Sequence, residues 1–319
     1  MVLRWDYRPK CSGLTAWVAQ GPKRTRRPDM LILAIDLGKF KSVACLYSVA
    51  TAEHSFRTLP TTPQAIHDLI VEVQPARVVI EVGPAAGWVQ NLCTALAIPI
   101  QVANPSHEAW RWKNVKRKTD KDDSLKTARL SALGQLPTVT LPSTKVRQWR
   151  SLIAYRHKLV GRRTAIKNHL RSILDRQGRA WPAGKTGWTE EACAALAREA
   201  RTAEQAGDEE LWRFELHVEL TALGQVQGLV DQVEARLEAL AQADGRVALL
   251  RSIPGVGPRL AEVVVAVIDD PRRFQNGKQV GAYAGLVPRL FESGTMSRQG
   301  RISGGATGCC GPCWWRWRG

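Results

Sequence analysis

The chain has 319 residues, with 46 Lys and Arg against 29 Asp and Glu, a formal charge of +17 and a pI near 10.0. Its length allows two domains, each with its own core, and 44% hydrophobic with 24% charged residues is the balance of a folded soluble protein. Such a field attracts polyanions, chiefly nucleic acid or an anionic membrane surface, but no apolar run reaches the roughly 18 residues of a membrane span, so a membrane is set aside as partner. Seven unevenly spread cysteines argue against a disulfide framework and for a reducing cytoplasm.

Residues 1–29 lack a signal-peptide core, because the basic run Lys23 to Arg27 follows the weakly apolar part. They read as a disordered tail or an upstream start, with Met30 the more natural beginning. Leu31 to Ile35 is then a buried strand that ends at Asp36-Leu37-Gly38. Ser42 to Val49 and Ser55 to Leu59 extend it into an antiparallel meander. Thr62-Pro63 opens a helix through Val73, Arg77 to Glu81 is a buried strand, Trp88 to Leu96 a helix, and Pro99 to Val102 a last strand. Strands followed by alternating helix and strand predict an α/β layer over residues 30–144.

Beyond Asp122 the chain reads as helical. Lys145 to Gln177 forms one long basic helix or a pair, with Val146, Trp149, Ile153, Val160, Ile166, Leu170 and Ile173 as an imperfect apolar stripe. Residues 181–188 break it. A second long helix over 207–243 places Leu223, Val226, Val230, Val233, Leu237 and Leu240 at coiled-coil spacing. That seam is short, and it suits an intramolecular helix pair or a dimer zipper equally. Residues 145–246 thus form a helical, partly coiled-coil middle. Residues 247–303 form a small, mostly helical C-terminal domain, opened by Ile253-Pro254-Gly255-Val256-Gly257-Pro258 as a helix-hairpin-helix-like element.

The charge is localised. Between Arg111 and Arg179 there are 19 Lys and Arg against 4 Asp and Glu, whereas Asp208 to Asp244 holds 9 acidic and 2 basic residues. Within the basic stretch Asp120 and Asp123 stand out, three apart and so on one face of a helix start. Asp36 and Glu81 each end a buried strand. Four acids so placed can converge at one sheet edge, and phosphodiester chemistry needs such a cluster. Two Mg²⁺ ions about 4 Å apart would activate the attacking oxygen and stabilise the leaving one, and hard cations prefer carboxylate oxygens. The plainer alternative makes Asp36 a turn residue, and Asp120 and Asp123 helix-capping and first-turn acids.

Ala34-Ile35-Asp36-Leu37-Gly38, Val79-Ile80-Glu81, Asn104-Pro105 and Lys118-Thr119-Asp120-Lys121-Asp122-Asp123 resemble the DEDD motif of the transposases of insertion-sequence family 110. The resemblance implies a RuvC-like, ribonuclease-H-fold front domain in which Asp36, Glu81, Asp120 and Asp123 bind Mg²⁺ (or Mn²⁺). It continues through Leu250 to Gly257, Ala284 to Arg289, Glu292-Ser293-Gly294 and Gly300-Arg301-Ile302, which look like the family's second conserved domain. There the serine of the Ser-Gly element joins DNA covalently, which carried over is Ser293. Chemistry alone does not choose Ser293 over Ser297 or Ser303. The resemblance further implies double-stranded DNA as substrate, a structured guide RNA, homo-dimers or tetramers, and a nucleoid-associated place in a bacterial cytoplasm.

The nucleic-acid surface is expected along Arg150, Arg156, Lys158, Arg162, Arg163 and Lys167, which would follow phosphates in a salt-sensitive way. Lys113, Lys116, Arg117 and Lys118 interleave with Trp112, a composition suited to nucleic acid or to a solvated basic loop. Backbone N–H groups at Gly255 and Gly257 suit a DNA phosphate, with a plain helix–helix turn as the alternative. From Gly304 to Gly319 the chain departs from the family pattern. Gly, Cys, Trp and Arg crowd there as in a GC-rich gene read out of frame, which would leave a decayed copy that binds nucleic acid without exchanging strands. A zinc site there lacks a fourth ligand. Two enzymatic alternatives share parts of the pattern. A RuvC-like endonuclease would use the four acids alone. A sugar-kinase-like ATPase would use Asp36 to Ser42 as a phosphate hairpin, but a second glycine-rich phosphate loop is not found.

Overall fold

A computed structural model describes residues 30–104, 119–182, 184–293 and 296–302. The tails 1–29 and 304–319, together with Lys113, Lys116, Arg117 and Lys118, lie outside the described residues. The chain divides into two compact units, 1–141 and 142–319.

The first unit is built on a five-stranded sheet of β1 (Leu31–Asp36), β2 (Lys41–Ser48), β3 (His54–Pro60), β4 (Arg77–Glu81) and β5 (Ile100–Ala103), in the order β3-β2-β1-β4-β5. The first three strands form an antiparallel meander, and β4 and β5 add on parallel to β1. The near-continuous apolar runs of β1 and β4 follow from burial on both faces. On one face α1 (Pro63–Val73) and α2 (Ala86–Ala95) cover Leu33, Ile35, Val78 and Ile80; on the other, α3 (Asp120–Ala132) covers Ile32, Ala34 and Val79 through Leu125 and Ala128. Ile32, Leu33, Ile35, Ile66, Ile70 and Ile80 are fully buried, and each contributes about 1.5–3 kcal/mol relative to exposure. Helix α1 starts where the sequence signals it, with Thr62 accepting from the Ala65 N–H at 3.3 Å and Pro63 in the first turn.

The second unit is organised by two long helices, α4 (Thr144–Arg176) and α6 (Leu211–Gln242). They run antiparallel: Arg156 meets Glu234, Arg163 meets Gln227 and Arg176 meets Glu215. The expected seam serves this pair within the chain, with Val230 and Leu237 buried and Leu223, Val233 and Leu240 packed beside them. Lys145 to Gln177 is therefore one helix and not two, and Leu159 takes the inward place expected of Val160. α7 (Gly245–Arg251) and α8 (Pro258–Ile268) pack into the same core as Trp149, Ile153 and Leu237, so residues on both sides of 246 share one interior.

Two elements depart from the sequence-based expectation. Helix α5 (Glu190–Glu199) lies between the long helices, started by Thr189 accepting from the Ala192 N–H. Residues 247–303, expected to be mostly helical, hold α8, most of α7 and a short α9 (Gly277–Tyr283), but then end in a hairpin of β6 (Pro288–Ser293) and β7 (Met296–Ile302). The strands carry little apolar alternation, so the period-2 signal is weak. Among the described residues no helix is long and apolar enough to cross a membrane.

Candidate functional site

Asp36 and Glu81 are the last residues of adjacent parallel strands, β1 and β4. The register pairs Ile35 with Ile80, so the two acids stand level one place further on, on strands about 4.8 Å apart. Side chains alternate along a strand, and Ile32, Ala34 and Val79 face α3. Asp36 and Glu81 continue that alternation and point to the same face. Both are half-buried.

Helix α3 brings its own acids to this edge. Its far end is tied to the start of β4 and to β5: Arg77 Nη2 donates to the Ser131 carbonyl at 2.9 Å, and Ser131 Oγ donates to Gln101 Oε1 at 2.6 Å. The helix thus runs against β4. Eight residues of helix from Ser131 back to Asp123 span about 12 Å, close to the roughly 13 Å of strand from Arg77 to Glu81. The first turn of α3 therefore ends level with Asp36 and Glu81. Small residues, Ser124, Thr127, Ala128 and Ser131, are buried against the sheet and allow close approach. Their hydroxyls are satisfied within the layer, Ser124 by the Lys121 carbonyl and Thr127 by the Asp123 carbonyl.

The capping role that could explain Asp120 and Asp123 belongs to other residues. Thr119 is the N-cap and accepts from the Asp122 N–H at 3.3 Å; Asp122 in turn accepts from the Thr119 N–H at 3.2 Å and from its hydroxyl at 2.7 Å. Asp120 is exposed and Asp123 half-buried, on the same side of the helix as the buried Ser124 and Thr127. Asn104 follows β5 and donates its N–H to the Pro137 carbonyl at 2.8 Å. Asp36 and Glu81 thus end adjacent strands, and the first turn of α3, which carries Asp120 and Asp123, ends level with them. Among the described residues, however, no three carboxylate, imidazole or thiol side chains lie close enough together to hold a metal ion. The donor set, oxygen-only and anionic, suits a hard divalent cation in kind.

The basic face of α4 divides into two classes. Arg150 donates to the carbonyls of Ala266 and Val267, Arg156 pairs with Glu234 at 2.6 Å, and Arg163 donates to Gln227 at 2.8 Å. Lys167 lies 4.7 Å from the centre of the Trp188 ring, and burial, with Arg163 and Arg171 nearby, lowers its pKa. These four hold the second unit together. Lys158 and Arg162, one turn apart, are exposed and remain turned to solvent. Sequence alone does not separate these classes, because the partners lie far along the chain: Gln227 and Glu234 on α6, 64 and 78 positions on, and the α8 carbonyls 116 and 117 positions on.

The α7–α8 connection has Gly255 at φ +83°, a conformation that favours glycine, and Gly257 caps α8 by accepting from the Ala261 N–H at 3.0 Å. Ser293 is the last residue of β6, where it pairs with Met296 of β7.

Two family models match the chain: the DEDD transposase model of IS110, over residues 33–178, and the "Transposase IS116/IS110/IS902 family" model, over residues 247–307. Among curated relatives, the transposase for insertion sequence element IS1111A of Coxiella burnetii is 27% identical over 287 residues, covering 88% of this chain and 76% of that protein. A probable family 20 transposase of Pseudomonas aeruginosa is 28% identical over 286 residues, covering 86% and 79%. Among solved structures, the chain titled "T. thermophilus RuvC in complex with Holliday junction substrate" aligns with 34% of this chain and 99% of its own length, at 14% identity and a TM-score of 0.26. With both conserved segments matched in order, and relatives aligned over most of its length, the chain belongs to the IS110 family of transposases.

Proposed function

We propose that this transposase cuts and rejoins double-stranded DNA with a metal-binding carboxylate set in its first unit and a serine nucleophile in its second. The observation that carries the reading is the level placement of Asp36 and Glu81 at the end of β1 and β4, with the first turn of α3 brought alongside. In this reading Asp36, Glu81, Asp120 and Asp123 hold Mg²⁺ or Mn²⁺, which when bound would supply Lewis-acid stabilisation of charge on the phosphodiester oxygens. The carboxylates fix the position of the scissile phosphate, and the Thr119–Asp122 cap holds the helix end that carries two of them.

Ser293 is proposed as the group that attacks phosphorus. Its Oγ–P bond forms as one P–O bond of the DNA breaks, the hydroxyl proton leaving to solvent and the freed DNA hydroxyl taking one up. The bond energy stays in the phosphoserine, so rejoining to a new end needs no outside energy source. Lys158 and Arg162 offer two exposed cations to phosphates, and the glycine backbone at Gly255 and Gly257 offers N–H donors. Lys113, Lys116, Arg117 and Lys118, outside the described residues, are proposed as further contacts. A guide RNA, and assembly of dimers or tetramers, belong to the same proposal.

The test incubates the purified full chain, Mg²⁺ and flank-encoded RNA with DNA carrying the element's ends. Expected is a protein–DNA species stable to denaturant, lost in Ser293→Ala and in Glu81→Gln. If Ser293→Ala cuts as well as the parent and neither forms an adduct, the RuvC-like hydrolytic reading replaces this one.

A further inference from the structure

The turn after Asp36 carries an aromatic ring where a buried one would be expected. Phe40 is 76% exposed, the most exposed of the large hydrophobic side chains described. Its neighbours Lys39 and Lys41 are exposed too, and the Lys39 ammonium sits 5.0 Å from the ring centre. A single exposed apolar residue is ordinary on a protein surface; here the mounting and the place are not.

The mounting is stiff. A Cβ on Gly38 would lie 2.2 Å from the Lys41 carbonyl oxygen, so the turn closes too tightly for any side chain there. The Phe40 carbonyl accepts from the Thr61 N–H at 2.9 Å, which ties the turn to the end of β3. Beneath it, the fully buried Ser42 shares a 2.7 Å hydroxyl bond with Thr61. The ring is thus held out by a braced backbone instead of folding onto the sheet. Its place is the same sheet edge as Asp36 and Glu81. Four residues of chain span at most about 14 Å, the length of roughly four stacked nucleotides of one strand.

We propose that Phe40 stacks on an unpaired base of the DNA strand being cut, with Lys39 and Lys41 on the flanking phosphates, and so positions that strand over the carboxylate edge. An aromatic face accepts any base, and the two ammonium groups supply the backbone attraction that stacking alone lacks. The inference rests on the reading of that edge as the cutting site and adds the group that holds the strand in place. It makes Phe40 a sequence-tolerant contact, so base preference would have to come from elsewhere.

The experiment uses the full chain without divalent metal, and single-stranded DNA oligonucleotides carrying 2-aminopurine at successive positions. The parent protein should quench 2-aminopurine emission sharply at one position. Phe40→Ala should lose that quenching and bind about ten-fold or more weakly, as expected for one stacked base, and Phe40→Trp should restore both. Far-ultraviolet circular dichroism should be unchanged in each, because the ring is largely exposed and outside the buried core. Equal quenching and affinity in Phe40→Ala, no quenched position in the parent, or an effect confined to RNA oligonucleotides would each overturn the proposal. Cleavage is read separately: stacking that persists in a protein unable to cut DNA would sink the cutting-site reading and leave the stacking contact standing.

Discussion

Arg150 closes the end of helix α8, its Nε donating to the Ala266 carbonyl at 2.6 Å and its Nη2 to the Val267 carbonyl at 2.9 Å. Those carbonyls belong to the last helical turn, where no N–H of the helix itself is available. The residue that looks from sequence like part of a phosphate track is therefore a cap on a neighbouring helix. Arg150→Ala should cost about 1.5–3 kcal/mol, the range for hydrogen bonds from a charged donor, measured by urea denaturation. The salt dependence of DNA binding should be the same in both proteins; a flattened dependence with unchanged stability would put Arg150 on the DNA after all.

The same helix allows the opposite experiment about two to three turns further along. Arg156 is engaged by Glu234 at 2.6 Å, while Lys158 and Arg162 are exposed. Neutralising both as Lys158→Gln and Arg162→Gln should leave stability within about 0.5 kcal/mol. It should lower the slope of log K against log salt by about 0.9 for each phosphate that is no longer neutralised. Arg156→Gln should reverse the pattern, losing up to about 1 kcal/mol of stability with the slope unchanged. Titrations of labelled duplex DNA between low and moderate salt separate the two outcomes.

The front unit was largely legible in the sequence because its signals are local. A run such as Leu31 to Ile35, closed by Asp36, can be read as a buried strand without knowing its neighbours, and Thr62-Pro63 marks a helix start by itself. The level placement of Asp36 and Glu81 could only be expected, since register is set by pairing between strands more than forty residues apart. Asp122 shows a different limit. Its reciprocal bonds with Thr119 free Asp120 and Asp123 from the capping role, and the run of three acids within four residues does not say which one caps. In the second unit the hairpin of β6 and β7 escaped because Ser293 and Gly294 read as a motif in a loop, and little alternation frames them.

Glu262 offers a pH-dependent signature. Its side chain is 1% exposed on α8, and it accepts from Arg259 Nη1 at 2.7 and 3.0 Å. Burial pushes its carboxyl above the usual value of 4.5, against the pull of Arg259, with Glu238 raising it further and Arg156 lowering it. A carboxyl whose pKa is higher in the folded than in the unfolded chain binds its proton more tightly when folded. Its contribution to stability is therefore complete below 4.5 and is lost as pH rises through the folded value. Glu262→Gln removes this titration. The stability of the parent minus that of Glu262→Gln should fall from pH 4.5 upward and then level off. A difference that rises over this window would mean that Arg259 outweighs burial, and that the folded carboxyl is depressed.

The division of labour at the start of α3 gives the sharpest contrast between neighbours. Asp122 works on the helix, through its bonds to the Thr119 N–H and hydroxyl at 3.2 and 2.7 Å. Asp120 and Asp123 lie outside that box and, in the reading proposed for the site, work on the metal. Asp122→Ala should therefore cost about 0.5–2 kcal/mol, as other lost caps do, with metal-dependent cutting reduced only as far as the helix end frays. Asp123→Asn keeps the shape and loses a charge from the first turns of the helix, for which the dipole predicts about 0.3–1 kcal/mol. It should nevertheless abolish cutting at every Mg²⁺ or Mn²⁺ concentration tried. Thermal denaturation with and without added Mg²⁺ supplies a readout independent of cutting, because an ion bound to the native state raises its stability by mass action. The parent and Asp122→Ala should both be stabilised by the ion, and Asp123→Asn should not. If Asp122→Ala loses the Mg²⁺ response and Asp123→Asn retains it, the roles of the two acids are exchanged, and the carboxylate set at this edge must be redrawn around Asp122.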